Sequence, residues 1–318
     1  MPVAADTWPA GPERGRRSRR HGPRVYGSDP VSRGGGIVPA AQADPTVTPD
    51  RHRVQSHSLM PLLSEPHLRR AAGECMRRCS APGADEMSWA QYRQGLPGRI
   101  AALSAALREG TWRPGPLRTV EITTYAGKRF SAVIPTAADR VVHRAMRAAI
   151  EPVLEERAFP GWVSGYRPGR NRITALRAAM GHLQAGLVAV ADVDVEQVAA
   201  GSTASEVTSW LAAYVSDGTF LARFRTALSV LPEPLMPGTG LSPLLLNLRL
   251  SRVDARLAGL AVVRFADNYC AFTASEAAAQ AAFAVIGDAL AAEGLRPHPV
   301  KSRIRIAANA EDLFLIAG

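Results

Sequence analysis

The chain has 318 residues, 47% of them apolar, which is enough for one large globular domain or two moderate ones. It has no apolar run of about 18 residues that could span a bilayer, and its Arg-rich N-terminus lacks the apolar segment of a signal peptide. Three cysteines without regular spacing exclude a disulfide-stapled secreted fold. The expectation is a soluble cytoplasmic protein with no membrane partner.

The charge is strongly positive, with a formal net charge of +10 and a pI near 10.3. Such a balance favours a polyanionic partner, of which nucleic acid is the usual one. The alternative is that the arginines only reflect codon usage, since Lys128 and Lys301 are the sole lysines among 38 basic residues. Those two positions keep a compact, titratable ammonium in a chain that otherwise uses Arg.

The first half of the chain reads as a tail followed by helices and a hairpin. Residues 1–57 are rich in Pro, Gly, Arg and Ser and are predicted to form a disordered basic tail. A helical segment is expected over 59–80. A second, N-capped by Ser88, runs through 108 with an interruption near Pro97. A hairpin over 120–134 then leads into a helix N-capped by Thr136.

The second half mixes helices with antiparallel hairpins, so the predicted class is α+β. The run 187–195 is apolar on both faces and predicts a buried central strand that carries Asp192 and Asp194 at its end. The other expectations are helices over 172–185, 205–216, 219–230 and 275–293, a helix beginning at Ser242, a hairpin over 262–272, and strands near 304–306 and 313–316.

Two of these β elements carry an aspartate where a strand ends. Asp194 ends the buried strand, and Asp267 lies in the turn of the hairpin about seventy residues later. Buried strands rarely tolerate carboxylates without a partner or a metal. Carboxylate oxygens suit Mg²⁺, and two such ions about 4 Å apart are the arrangement used for phosphoryl transfer.

The order of motifs over 83–318 resembles that of group II intron reverse transcriptases and their bacterial relatives. The most specific segment is 164–171, Ser-Gly-Tyr-Arg-Pro-Gly-Arg-Asn, similar to the family's Tyr-Gly-Phe-Arg-Pro-Gly-Arg-Ser. Residues 192–195 resemble the Asp-Ala-Asp-Ile strand, and 264–268 resemble the Arg-Tyr-Ala-Asp-Asp box. Weaker similarities occur, in the family's order, at 83–92, 110–114, 127–129, 134–142, 241–247, 297–302 and 314–318.

The resemblance implies a right-hand polymerase with fingers and palm, the antiparallel palm sheet being flanked by helices. The N-terminal extension and fingers would occupy 58–186 and the palm 187–318, with the two parts interdigitating. The implied activity is RNA-directed DNA polymerisation by two Mg²⁺ ions, or Mn²⁺, on an RNA template and a nucleic-acid primer with dNTPs. The protein would be bacterial and cytoplasmic and would lack the family's thumb/maturase region.

The resemblance also assigns roles to residues. The implied catalytic residues are Asp194, Asp267, Asn268 and Lys301, and the implied metal-binding residues are Asp194, Val195 and Asp267. Lys301 would donate a proton to pyrophosphate, which an arginine would do poorly. The implied nucleotide- or template-binding positions are Lys128, Arg129, Arg167, Arg170, Ala199 and Gly240.

Three departures from the family pattern leave a second reading open. Asn268 replaces the second Asp of the box, so that Asn268→Asp is expected to raise activity. Ala199 replaces an aromatic steric gate, which predicts weak discrimination between dNTPs and rNTPs. The loop 237–240, Pro-Gly-Thr-Gly, replaces Pro-Gln-Gly-Gly. The alternatives are a catalytically impaired module that binds RNA or an RNA/DNA duplex, and an unrelated basic α+β protein.

Overall fold

The chain alternates helices and strands, and the mixed α+β class expected from the sequence is confirmed. The computed structural model describes residues 56–78, 80–123, 127 and 129–314. After a short 3₁₀ helix, Met60–Leu63, the described α-helices are α1 Glu65–Arg77, α2 Trp89–Arg93, α3 Leu96–Glu109, α4 Ala137–Arg157, α5 Arg172–Gln184, α6 Ala204–Ala212, α7 Gly218–Ser229, α8 Ser242–Asp254, α9 Glu276–Ala291 and α10 Glu311–Phe314. The described strands are β1 Arg118–Thr123, β2 Arg129–Ile134, β3 Val163–Ser164, β4 Ala189–Asp194, β5 Val262–Phe265, β6 Asn268–Thr273 and β7 Arg303–Ile306.

Helix α1 packs against α3 and against α4, and all three helices contribute to the first hydrophobic core. Leu68, Ile100 and Met146 from these helices are fully buried, and burial of such a side chain stabilises the fold by about 1.5–3 kcal/mol. Both predicted N-caps are present: Ser88 forms a capping box with Gln91, and the Thr136 hydroxyl accepts from the Asp139 backbone. Helices α2 and α4 therefore begin where the sequence predicts.

Strands β1 and β2 form an antiparallel hairpin whose β1 side is mostly exposed. The loop 237–240 fastens the second strand to the core, because the Val133 backbone N–H donates to the Pro237 carbonyl over 3.0 Å. Gly238 has φ +111°, and a Cβ there would lie 1.9 Å from the Val133 carbonyl oxygen. This close approach requires glycine at position 238.

A second sheet has five strands in the order β3-β5-β6-β4-β7, with β3 parallel to β5 and the other pairs antiparallel. Apolar residues of α8 and α9 cover one face, and those of α5 and α10 cover the other. Because β4 and β5 are both antiparallel to β6, β3, β4 and β5 run in the same direction. Their carboxyl ends therefore lie at one edge of the sheet, called here the carboxyl edge.

Two sequence expectations need comment at the ends of the chain. The strand expected at 313–316 is wrong where it is described, because residues 311–314 form α10. The Asn309 carboxamide accepts from the Asp312 backbone N–H over 3.0 Å, and Arg305 donates to the Asp312 carbonyl over 2.6 Å, so local bonds favour a helical turn. The predicted disordered tail lies outside the described residues except for 56 and 57, of which Ser56 pairs with Val215.

The five-stranded sheet takes elements from both sides of the predicted division at residue 186. Strand β3 and helix α5 precede that position, yet β3 pairs with β5 and α5 packs on the same sheet. Among the described helices, none is both long and apolar enough to cross a membrane.

Candidate active site

The carboxyl edge brings together residues that are far apart in the sequence. Gly165 and Tyr166 follow β3, Asp267 lies in the turn between β5 and β6, and Asp194 ends β4. Lys301 comes just before β7, whose first residues lie at the same edge because β7 is antiparallel to β4. Neighbouring strands lie about 4.8 Å apart, so the strand order alone places these positions in one row.

The two aspartates predicted to act together lie on neighbouring backbone segments. Asn268 is the register partner of Asp194 across β4 and β6, and the Val195 backbone N–H donates to the Asp267 carbonyl over 3.1 Å. Asp267 is partly exposed. The backbones of Asp194 and Asp267 therefore lie side by side at the carboxyl edge.

Asp194 is enclosed by the segment that leads into β7. Lys301 Nζ lies 3.3 and 3.4 Å from the two carboxylate oxygens of Asp194, and the Ser302 hydroxyl donates to the Asp194 carbonyl over 3.2 Å. The His298 backbone N–H donates to the same carbonyl over 2.7 Å. The Asp194 side chain is 14% exposed and that of Lys301 is 51% exposed, so a ligand can reach the ammonium from solvent.

The turn that carries Asp267 is conformationally strained. Ala266 has φ +55° and Tyr166, in the neighbouring turn, has φ +60°. Residues with a side chain pay a free-energy cost in this left-handed region, and such strain clusters at functional sites. Tyr166 is 47% exposed, and its pKa is raised by partial burial and by the negative charge of Asp267.

Asn268 is bonded to the other aspartate of β4, a contact that the sequence did not indicate. Its Nδ2 donates to Asp192 Oδ1 over 3.0 Å, and Arg305 lies 3.0 Å from the second Asp192 oxygen. Burial raises the pKa of Asp192, while Asn268, Arg305 and the thiol of Cys270 act in the opposite direction. Asn268 therefore acts as a hydrogen-bond donor to a buried supporting carboxylate.

The donor set at the carboxyl edge fits magnesium better than a transition metal. It consists of the carboxylates of Asp194 and Asp267, and the metal-binding role implied for Val195 would fall to its backbone carbonyl; hard oxygen ligands completed by water suit Mg²⁺. No three His, Cys, Asp or Glu side chains in the described part of the chain cluster as a metal site. A bound ion would compete with Lys301 for Asp194.

Arg167 is buried in the scaffold and not displayed at the edge. Its side chain is 4% exposed and pairs with Glu155 at 2.9 Å. It also donates to the carbonyls of Pro160 and Val163 over 2.7 and 2.9 Å. Contact with a phosphate would require these bonds to break, so the phosphate role predicted for Arg167 stays a prediction without support from this geometry.

The other predicted nucleotide- or template-binding residues are spread over several elements. Arg129 is exposed at the start of β2, and Arg170 donates to the Gly161 carbonyl. Ala199 packs against the first core just after β4. The Gly240 carbonyl lies 3.5 Å from an Arg147 guanidinium nitrogen. Lys128 lies outside the described residues.

A buried polar cluster beneath the carboxyl edge was missed at the level of the sequence. Its members are Asn247 and Asp254 from α8, Arg264 from β5 and Tyr269 from β6, and all are buried. One signal was available: Arg264 lies inside the apolar strand β5, and a charged residue at a buried strand position needs a partner. The partners, ten to seventeen residues away on α8, could not be read from spacing.

Comparison with known proteins finds one short match. The chain is 34% identical to Protein YkfC of Escherichia coli (strain K12) over 96 residues. The match covers 30% of this chain and 25% of YkfC, so the chain spans about a quarter of the length of that relative. No protein-family model matches the chain.

Proposed function

We propose that the protein is a divergent bacterial reverse transcriptase that extends a nucleic-acid primer on an RNA template. The observation that carries the proposal is the meeting of Asp194, Asp267 and Lys301 at one edge of the five-stranded sheet. Two carboxylates with a solvent-accessible ammonium can bind hydrated Mg²⁺ and a triphosphate. The net charge of +10 supports a nucleic-acid partner.

In this proposal the five-stranded sheet with α5, α8 and α9 is the palm, and the β1–β2 hairpin with α4 belongs to the fingers. The edge at which β3, β4 and β5 end is then the floor of the active site. The adjacency of β4 and β6, which brings Asp194 next to the turn that carries Asp267, supports this assignment.

Each side chain at the edge has a defined task in the proposed reaction. Bound Mg²⁺ ions supply charge stabilisation of the transferring phosphoryl group. Asp194 and Asp267 would hold the ions, and Lys301 would donate a proton to the leaving pyrophosphate. The ion pair with Asp194 keeps the Lys301 ammonium at the edge until a triphosphate replaces the carboxylate as its partner.

A second function, nucleic-acid binding without catalysis, is favoured by the bond between Asn268 and Asp192. The amide at 268 stabilises a buried carboxylate instead of adding a negative charge to the edge. Fewer negative charges weaken binding of divalent cations, since one unit charge about 4 Å away is worth about 4 kcal/mol at an effective dielectric near 20.

A primer-extension assay separates the two functions. The protein is offered an RNA template and a DNA primer with Mg²⁺ or Mn²⁺, and with dNTPs and rNTPs separately, while duplex binding is followed by fluorescence anisotropy. We expect extension with both kinds of nucleotide, because Ala199 lacks an aromatic ring. Asp194→Asn should reduce the rate by about 10²–10³-fold or more, the cost of removing one electrostatic partner of a transition state.

The matched control is Asp288→Asn, which removes one negative charge from the exposed surface of α9 and should leave the rate unchanged. Duplex binding without extension under any condition would contradict the polymerase and establish the binding module. Strong discrimination against rNTPs would contradict the role given to Ala199.

A further inference from the structure

Arg264 is the largest fully buried side chain of the described residues, with 0% exposure. Burial of a guanidinium costs several kcal/mol unless its N–H groups are bonded and its charge is paired. Its Nε and Nη2 donate to the two oxygens of Asp254 over 3.0 and 2.7 Å, a bidentate pair. Its Nη1 donates to Asn247 Oδ1 over 2.9 Å and to the Ala266 carbonyl over 2.7 Å.

These bonds reach both strained turns of the carboxyl edge. The Ala266 carbonyl belongs to the turn that carries Asp267. Asn247 accepts from Arg264 through its oxygen and donates through Nδ2 to the Gly165 carbonyl over 3.1 Å, in the turn that carries Tyr166. One guanidinium thus fastens the two turns, directly in one case and through a single amide in the other.

The two turns also touch each other closely. The Ala266 backbone N–H donates to the Ser164 carbonyl over 3.1 Å. A Cβ at Gly165 would lie 2.8 Å from that same nitrogen, so the turns approach each other more closely than a side chain at 165 would permit. Backbone contacts between the two turns therefore set the separation of Tyr166 from Asp267, and the hydrogen bonds of Arg264 hold these contacts in place.

The acceptor for Arg264 is itself held from a third element. Tyr269 donates its hydroxyl to Asp254 Oδ1 over 2.9 Å, so the Asp254 carboxylate accepts three hydrogen bonds from Arg264 and Tyr269 together. Asp254 lies at the last residue of α8, and its side chain is fully buried. The position of α8 is thereby coupled to β5, β6 and the turn between them.

We propose that Asn247, Asp254, Arg264 and Tyr269 are positioning residues that hold the turns of Tyr166 and Asp267 at the separation the reaction needs. We call this set the buried clamp. The proposal rests on the proposed polymerase function, for which Asp267 is a metal ligand. The clamp residues do not contact the substrate; they act through the Gly165 and Ala266 carbonyls.

A purely stabilising role makes a different prediction. A buried ion pair can often be replaced by apolar residues of similar volume without loss of stability. Apolar residues cannot bond to the two turn carbonyls, however, so such a variant should fold and yet misplace Asp267. A displacement of about 1 Å can cost about 10²-fold in rate.

The test uses the full chain and graded variants. Tyr269→Phe removes one bond to Asp254, Asn247→Ala frees the Gly165 carbonyl, and the triple variant Asn247→Leu, Asp254→Leu, Arg264→Met replaces the core of the clamp. Arg252→Gln on α8 is the matched control, since it removes a partly exposed ion pair with Glu293, which keeps Arg256 as a partner. Each protein is assayed for primer extension and for Mn²⁺ affinity by electron paramagnetic resonance, and hydrogen exchange is measured for 163–168 and 264–269.

We expect Asn247→Ala to speed exchange in both segments together and to weaken Mn²⁺ binding. It should also lower kcat by about 10-fold or more, with the KM for the nucleotide little changed, because misorientation affects the chemical step. Tyr269→Phe should show the same pattern with smaller changes, and Arg252→Gln should match the wild type.

The clamp proposal and the polymerase proposal fail separately. If the wild type does not extend primers, the polymerase is contradicted, while faster exchange confined to the two turns still supports the clamp. Exchange that is unchanged, or that rises equally over the whole chain, overturns the clamp. A folded triple variant with wild-type kcat and Mn²⁺ affinity overturns it as well.

Discussion

Two groups of buried polar residues differ in how completely they are hydrogen-bonded. One is the buried clamp beneath the carboxyl edge, and the other, called here the α4 row, consists of Arg140 and His143 on α4. In the clamp, Arg264 donates through all three guanidinium nitrogens. On α4, Arg140 donates through Nη1 and stacks over Trp89 at 4.6 Å, but its Nε and Nη2 have no partner among the described residues. Neither ring nitrogen of His143, one helical turn further along α4, has a hydrogen-bond partner among the described residues.

The difference shows which of the two groups forms its hydrogen bonds completely. The clamp connects α8 to two turns of the candidate site, and its bonds are directional and complete. The α4 row lies in the first hydrophobic core, where it serves packing and tolerates unsatisfied nitrogens at a cost in stability. Breaking the first cluster should therefore cost more than breaking the second, and the second should respond to pH.

The largest effect is expected from Arg264→Ala. The substitution leaves the Asp254 carboxylate buried without its charge partner, which typically costs about 3–5 kcal/mol. Urea unfolding of the variant and the wild type measures the difference in the free energy of unfolding. Arg252→Ala on α8 removes a partly exposed ion pair whose Glu293 keeps Arg256 as a partner, so it should cost about 0–1 kcal/mol. A similar loss in both variants would contradict the contrast.

His143 should make the protein sensitive to acid. Burial lowers the pKa of His143 to about 4 from the ordinary value of 6.5. His143 binds a proton less readily in the folded state than in the unfolded state. As far as His143 is concerned, the free energy of unfolding therefore has its full value above pH 6.5 and decreases as the pH falls toward 4. The shift corresponds to about 3 kcal/mol.

Urea unfolding at several values of pH between 7.5 and 4 tests the role of His143. In His143→Leu the loss of stability with falling pH should be smaller than in the wild type by roughly that amount. Parallel curves for the two proteins would show that His143 is not the group that is protonated.

A smaller effect, of opposite pH dependence, is expected from Asn268→Asp. The new carboxylate would replace the amide that donates to Asp192 over 3.0 Å, so a bond becomes a repulsion. We expect a loss of about 1–3 kcal/mol at pH 7. The loss should shrink as the pH falls, because protonation of one carboxyl restores a donor.

Thermal unfolding at pH 7 and 5 measures the effect of Asn268→Asp, with Asn268→Ser as the control that adds no charge. A variant as stable as the wild type at pH 7 would contradict the role of Asn268 as a donor. Extension assays on the same variant test the separate expectation that a second carboxylate raises activity.

Much of the fold was predictable because it depends on local patterns. Helix caps such as Ser88 and Thr136 act within one turn, and the apolar run 187–195 marks a buried strand by composition alone. The failure at 313–316 is also local in origin, because the Asn309 side chain favours a turn over an extended strand. For the candidate site, the sequence could name candidate residues, but it could not indicate which of them contact one another.

The contacts depend on pairs that are distant in the sequence. Asn268 bonds to a residue 76 positions away, and Asn247 to one 82 positions away. Local sequence preferences do not identify such partners, because the partners come together only when the sheet packs against α8. Arg167 illustrates the same point: its motif predicts a phosphate contact, whereas packing encloses its guanidinium with Glu155.

The sequence by itself determined the α+β class, most of the helices and strands, and the two aspartates at the ends of β elements. Alternation, capping and composition are local properties, and they are sufficient for that much. The tertiary structure alone decided that Asp194 and Asp267 meet at one edge, that Asn268 serves Asp192, and that Arg264 holds both turns. These outcomes depend on strand order and burial, which bring distant polar groups together and require each of them to find a partner.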